Sequence, residues 1–207
     1  TLNTSFITAV AHAAGKYHRE LGAPVESLRS SMAISTRNEN SGSNAFTLAR
    51  MLVPTADMPI AERFSAINEI LVAARTGAES SSLEALATVS SVVPTSIITR
   101  LARSQAETVD FATSNVRSAG VPLFMAGSQL LENYPVGPLG GVAFNVTLMS
   151  YLGSLDCGIN IDEAAVESPS LLRDSLSQAF TELSAFAPAR ESSPSAAKAE
   201  DGAAKRQ

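Results

Sequence analysis

A chain of 207 residues of which 45% are hydrophobic can bury one sizeable core, as a single large domain or as one lobe of a larger protein. A net charge of −5, no clustered basic face, no Trp and 5% aromatic residues exclude the footprint of a nucleic-acid binder built on base-stacking platforms. The lone Cys157 excludes an internal disulfide framework and a cysteine zinc site, fits a reducing compartment, and reads as a buried apolar residue without a basic partner.

The segment from Thr1 to Lys16 lacks the basic start and cleavage pattern of a secretory signal. A first residue of Thr instead of Met reads as a piece of something longer or a processed product. The first element is a helix. Asn3 or Thr4 can cap it, Phe6, Val10, Ala14, Tyr17 and Leu21 recur on one face, and Gly22 with Pro24 stops it. "SMAISTR" (Ser31–Arg37) reads as a strand, "NENSGSN" as a polar loop, and "AFTLARMLVP" as a second strand ended by Pro54. In that strand Phe46, Leu48 and Arg50 face away from Thr47, Ala49 and Met51.

Pro59 opens a helix to about Thr76, with Ile60, Phe64, Ile67 and Leu71 as its stripe. A polar gap, Ala78–Ser82, leads to a further helical stretch, Leu83–Ala106, interrupted at Pro94. "TVDFATSNVR" is a strand and "PLFMAGSQLLENYPV" a mixture of strand and turn. "VAFNVTLMSYLGSLDCGIN" is a hairpin of two strands meeting near Gly153 and central in the sheet, with period-two alternation setting Val142, Phe144, Val146 and Leu148 against the helices. Its polar residues recur too often for lipid, and no stretch of the chain is a clean apolar span of about 18 residues. Ser168 caps a last helix that begins at Pro169 and carries Leu172, Leu176, Phe180 and Leu183. Residues 188–207 have no large apolar side chain and read as a disordered tail after a domain spanning residues 1–187.

Chemical motifs are sparse. "GPLGG" lacks the Gly-Lys-Ser/Thr ending of a phosphate loop and the spacing of a dinucleotide fingerprint. No Gly-x-Ser-x-Gly elbow is present. His12 and His18 stand six apart, on nearly opposite sides of the first helix, and no carboxylate pair is singled out by spacing. Asp57, Glu62 and Glu69 fit a solvated helix face. The residues alone describe an α/β-type domain with no visible catalytic or metal-binding set.

Five strings, in order, resemble the C-terminal half of the bacterial wax ester synthase/diacylglycerol acyltransferase family. "TLNTSFITAVAHAAGKYHRELG" is similar to the family's helix that begins Ser-x-Asn-Asp. "MAISTR" is similar to its Pro-Val-Ser-x-Arg strand, and "SNAFTLARMLVP" to its Gly-Asn strand ending in Leu-Pro. "TSNVRSAGVPLFMAGSQLLENYPVGPL" resembles the run Ser-Asn-Val-Pro-Gly-Pro, Leu-x-x-Ala-Gly, Tyr-Pro-Val, and "GVAFNVTLMSYLGSLDCGINID" the following hairpin. The resemblance covers Thr1 to about Phe186.

It implies an α/β (α+β) fold, a mixed β-sheet flanked by helices, as one lobe of a two-lobed CoA-dependent acyltransferase-like fold with a tunnel between the lobes. The partner lobe carries a His-His-x-x-x-Asp-Gly motif whose second His takes the proton from an alcohol as it attacks an acyl-CoA thioester. This chain has no adjacent His pair, so the resemblance implies that it holds no catalytic residue and supplies tunnel wall and substrate contacts through Asn3, Ser114, Asn115, Asn145 and Thr147. Acyl-CoA enters as substrate, with no resident cofactor or metal. The expected product is a triacylglycerol or wax ester, made in the cytoplasm with peripheral association to the inner membrane or a lipid droplet left open. The alternative is a non-catalytic module that binds lipid or protein. Two departures stand out: the family's Asn-Asp is Asn3-Thr4, and its Asn-Val-Pro-Gly-Pro is Asn115-Val116-Arg117-Ser118-Ala119.

Overall fold

The computed structural model describes residues 1–35, 46–78 and 108–186. Within these, helices α1 (Leu2–Glu20), α2 (Ile60–Ala78) and α3 (Pro169–Phe186) cover one face of a sheet. Its strands are β1 (Ser27–Ser35), β2 (Phe46–Pro54), β3 (Phe111–Arg117), β6 (Phe144–Tyr151) and β7 (Ser154–Ile161), in the order β2-β1-β3-β6-β7. The pairs β1/β3 and β3/β6 are parallel, and the two outer pairs are antiparallel. A mixed sheet flanked by helices is the architecture that the family resemblance implies. Two short strands, β4 (Phe124–Met125) and β5 (Ser128–Gln129), form a separate ladder. The loop Asn38–Asn44, the stretch Leu83–Ala106 and the tail 188–207 lie outside the described residues.

Helix α1 is buried almost all round, because it lies between α2 and α3 on top of the sheet. Its small residues, Ala9, Ala11, Ala13, Ala14 and Gly15, let neighbouring backbones approach. A Cβ at Gly15 would lie 2.1 Å from the Thr55 carbonyl oxygen, so only glycine fits there. The cap is Thr1, earlier than Asn3 or Thr4: its hydroxyl accepts the Thr4 amide at 3.3 Å. Leu21, expected on the buried face, is exposed because the helix has ended at Glu20.

The sheet alternates as a half-covered sheet should. Ala49, Met51 and Val53 of β2 are buried under the helices, while Leu48, Arg50 and Leu52 are exposed. In the interior, Phe111 of β3 pairs with Phe144 of β6, and their rings stack 5.0 Å apart. β6 and β7 join through Leu152 (φ 46°) and Gly153 (φ 87°), the left-handed pair that a two-residue hairpin between twisted strands requires. The expected central hairpin is only half central: β6 is interior, and β7 forms an edge of the sheet. α3 begins at Pro169 as expected, with the Ser168 carbonyl taking the first helical bond from Leu172.

Candidate functional site

Helix α1 starts where β3 ends. The Asn115 amide Nδ2 donates to Asn3 Oδ1 at 2.7 Å, joining two residues 112 positions apart. Both are half-buried, so a ligand can reach them. Beside them, Thr4 Oγ1 donates to Asn68 Oδ1 of α2 at 3.1 Å and is itself buried. The first-turn amides of α1 have no intrahelical acceptors, and the turn carries no acidic side chain. The positive end of the helix dipole is therefore not neutralised from within that turn, and it faces the carboxyl ends of the parallel strands. Asn115 has a second amide hydrogen beyond the one given to Asn3. Such an edge can orient a carbonyl, hydroxyl or phosphate oxygen.

The other three predicted residues are on the opposite face of the sheet. Ser114 neighbours Thr147 in the β3/β6 register, and Asn145 is two positions before Thr147. This face of the hairpin is covered by a strap, Pro135–Pro138. Asn145 Nδ2 donates to the Pro138 carbonyl at 2.7 Å, Thr147 Oγ1 donates to Asn145 Oδ1 at 3.0 Å, and Asn160 Nδ2 donates to the Gly137 carbonyl at 2.9 Å. Asn145 and Thr147 are buried, and their polar groups hold the strap. The five residues thus fall into two groups: Asn3 with Asn115 at an accessible helix end, and Ser114, Asn145 and Thr147 on the far side.

Neither histidine belongs to the Asn3–Asn115 edge. His12 and His18 lie roughly 13 and 22 Å further along α1 by its rise per residue. His12 Nε2 is 3.3 Å from Glu182 of α3, and its Nδ1 is buried without a partner among the described residues. Burial, then Arg63, push its pKa below 6.5, and these outweigh the upward pull of Glu182. Burial raises the Cys157 thiol to about 11, so it stays protonated and unreactive. Burial also lowers Arg63 to about 10, still charged near neutrality; it donates to the Pro54 and Ala56 carbonyls and fixes the β2–α2 connection. At the other end of α1 a cleft of about 300 Å³ opens beside Tyr17, His18, Asp110 and Leu172. Asp110 is committed there to Arg29, with Oδ1 2.5 Å from Nη2.

Sequence reasoning missed Asn68, Asp156, Asn160 and Tyr151, whose buried hydroxyl accepts the Leu123 amide at 2.9 Å and donates to the Leu130 carbonyl at 3.0 Å. Asn68 stands four after Phe64, on the helix stripe itself, and a polar residue on an apolar stripe is the signal it gives. Asp156 Oδ2 accepts the backbone amide of Asn133 at 2.8 Å and so holds the chain two residues before the strap. Among the described residues, no group of three or more His, Cys, Asp or Glu side chains gathers to hold a metal. No described helix is long and apolar enough to cross a membrane.

The WS/DGAT C-terminal domain model matches residues 42–184. Similar curated proteins include a candidate diacylglycerol O-acyltransferase of Mycobacterium tuberculosis, found in two strains, 28% identical over 194 residues. The match takes in 90% of this chain and 38% of that protein, so the chain spans well under half the length of these relatives. Among solved structures, a wax ester synthase/diacylglycerol acyltransferase from Marinobacter aquaeolei superposes with a TM-score of 0.65 at 21% identity, over 90% of this chain and 44% of that one. The condensation domain involved in chain release from the enacyloxin polyketide synthase superposes at 0.53 with 12% identity, over 95% of this chain and 38% of that one. At these identities the superpositions establish a shared fold.

Proposed function

Because this chain belongs to the WS/DGAT C-terminal domain family, we propose that it is the C-terminal half of an O-acyltransferase that moves an acyl group from acyl-CoA to diacylglycerol or a long-chain alcohol. It contributes channel wall and substrate contacts, and the general base comes from a preceding lobe with a His-His-x-x-x-Asp-Gly motif. The observation that carries this reading is the 2.7 Å bond between Asn115 and Asn3 at the amino end of α1. It supports an oriented, partly positive edge where a reacting thioester carbonyl gains negative charge. The acceptor hydroxyl loses its proton to the base, its oxygen bonds to the acyl carbon, and the CoA thiolate leaves. Asn3 and Asn115 would hold the acyl or alcohol oxygen in place, lowering the barrier by orientation. Acyl-CoA is a substrate here, and the reading needs no resident cofactor. It includes a cytoplasmic enzyme that meets its lipid at a membrane or droplet surface.

A non-catalytic lipid- or protein-binding module is the second reading. It is favoured by Thr4, whose hydroxyl is buried against Asn68 where the family motif has an aspartate. Acyl transfer separates the two. A polypeptide joining this chain to the lobe encoded upstream of Thr1 is assayed with acyl-CoA and either acceptor, beside its Asn115→Ala variant. Turnover that falls about tenfold or more in the variant supports the enzyme reading, a loss of roughly 1.4 kcal/mol of transition-state stabilisation. No turnover above blank in the joined protein refutes it, as does ester formed by this chain alone.

A further inference from the structure

Asn68 of α2 brings to the Asn3–Asn115 edge hydrogen-bond donors that this domain does not use. Thr4 Oγ1 gives its only hydrogen to Asn68 Oδ1 at 3.1 Å, so in the 2.7 Å contact between the hydroxyls of Thr1 and Thr4 the donor is Thr1. Thr1 Oγ1 in turn accepts the Thr4 backbone amide at 3.3 Å. Each hydrogen of this small network is thus assigned, and the network pins the oxygen end of the Asn68 carboxamide on a buried hydroxyl. The nitrogen end, on the other branch of the same planar group, is turned away from that hydroxyl. Its two N–H groups meet no partner among the described residues, and Nδ2 is not one of the buried unpaired atoms, so solvent reaches it. Asn68 is half-buried, as are Asn3 and Asn115. Thr4 follows Asn3 in the chain, so Asn68 and Asn115 are each one hydrogen bond away from adjacent residues of α1. They flank its first turn, one from α2 and one from the end of β3.

We infer that Asn68 is a further substrate-contact residue of this site: its Nδ2 donates to an ester carbonyl oxygen of the acyl acceptor, and it thereby favours an acylated glycerol over a plain long-chain alcohol. The inference rests on the acyl transfer proposed above. Asn115 keeps one N–H beyond its bond to Asn3, and Asn68 keeps both of its own. A plain alcohol has a single oxygen, which cannot serve donors on both sides of the turn. Donors left without a partner once substrate covers the edge cost free energy. An acceptor with ester groups beside its reacting hydroxyl supplies the missing carbonyl oxygens, and a site with such donors discriminates against the analogue that lacks them. The first turn of α1 holds no acidic side chain to compete for these N–H groups. The bond from Thr4 orients the carboxamide before substrate arrives, so little ordering entropy is lost on binding.

The test uses this chain joined to the polypeptide encoded upstream of Thr1, and the variant Asn68→Asp. Aspartate keeps an oxygen for Thr4 and replaces the nitrogen, so the donors go while the brace on α1 stays, and a carboxylate beside the amino end of a helix is tolerated. The melting temperature is expected to stay unchanged. With acyl-CoA, kcat/KM for 1,2-dioctanoylglycerol should fall about tenfold, while that for 1-hexadecanol stays within about twofold. If Asn68 merely braces Thr4, the variant serves both acyl acceptors as well as the parent does, which overturns the inference. An equal fall for both overturns it too. A second measurement needs no turnover. In the nitrogen-15-labelled joined protein, the Asn68 side-chain amide signals, identified by their absence from Asn68→Asp, should shift with 1,2-dioctanoylglycerol and not with 1-octanol. No shift with dioctanoylglycerol overturns the inference even where ester is formed. A shift in a protein that forms no ester supports the contact and sinks the enzyme reading instead.

Discussion

Gly158→Ala should destabilise this domain, although the general rule for strands points the other way. Gly158 lies in β7 opposite Thr147 of β6, and it is not among the residues with positive φ. Glycine inside a strand costs about 0.5–1 kcal/mol relative to alanine, so a free edge strand would gain stability from the change. Here a Cβ at Gly158 would sit 1.7 Å from the Pro135 carbonyl oxygen, whereas real Cβ contacts essentially never fall below 3.0 Å. The obstacle is backbone, so the strap must retreat by more than about 1.3 Å. That retreat strains two bonds, Asn160 to the Gly137 carbonyl and Asn145 to the Pro138 carbonyl. Each lost bond costs about 1 kcal/mol net, and the buried Asn145 amide adds about 1–3 kcal/mol if left unpaired. The net expectation is a loss of roughly 2–4 kcal/mol. Urea denaturation followed by far-UV circular dichroism would show a lower midpoint with little change in slope. A midpoint that stays the same or rises would refute the reasoning, because it would mean the strap does not lie against β7.

Phe144→Ala should cost about 3–5 kcal/mol, because it removes a buried ring stacked on Phe111; a neutral effect in the same melt would take β6 out of the core. A double-mutant cycle of Asn3→Ala and Asn115→Ala should return a coupling of about 0.5–1.5 kcal/mol, and additive losses would show that the bond between them is not formed in solution. For His12, the folded state resists protonation while the unfolded chain binds a proton near 6.5. Stability should therefore fall as pH drops through 6.5 towards the lower folded value, and His12→Gln should flatten that slope. The surroundings of His12 in this window are Glu182, Arg63, Arg19 and Lys16. Asp110 acts in a separate window: burial works to raise its pKa, but the bonds and charge of Arg29 bring it net below 3.8, so its contribution is lost only under more acidic conditions.

The sequence by itself determined the elements whose signals are local. The stripe Phe6, Val10, Ala14 and Tyr17 marks α1, Pro169 marks the start of α3, and the alternation around Phe144 with Gly153 marks the hairpin; all of these are periodicities or turn requirements read within a few residues. The ordered strings also pointed to the family and to Asn3 and Asn115 as residues of interest. Only the tertiary structure decided which of these residues meet. The Asn3–Asn115 bond spans 112 positions, and no spacing rule encodes it. Asn145 and Thr147 show the same limit: alternation put them on the face away from the helices but could not reveal the strap that covers them, because the strap comes from a non-repeating segment. Arg63, which no sequence signal singled out, is fully buried, since the Pro54 and Ala56 carbonyls of a neighbouring connection are there to receive it. Period and propensity are properties of one segment, whereas a binding edge and a covering strap are properties of pairs of segments, and their energies exist only once the chain has closed on itself.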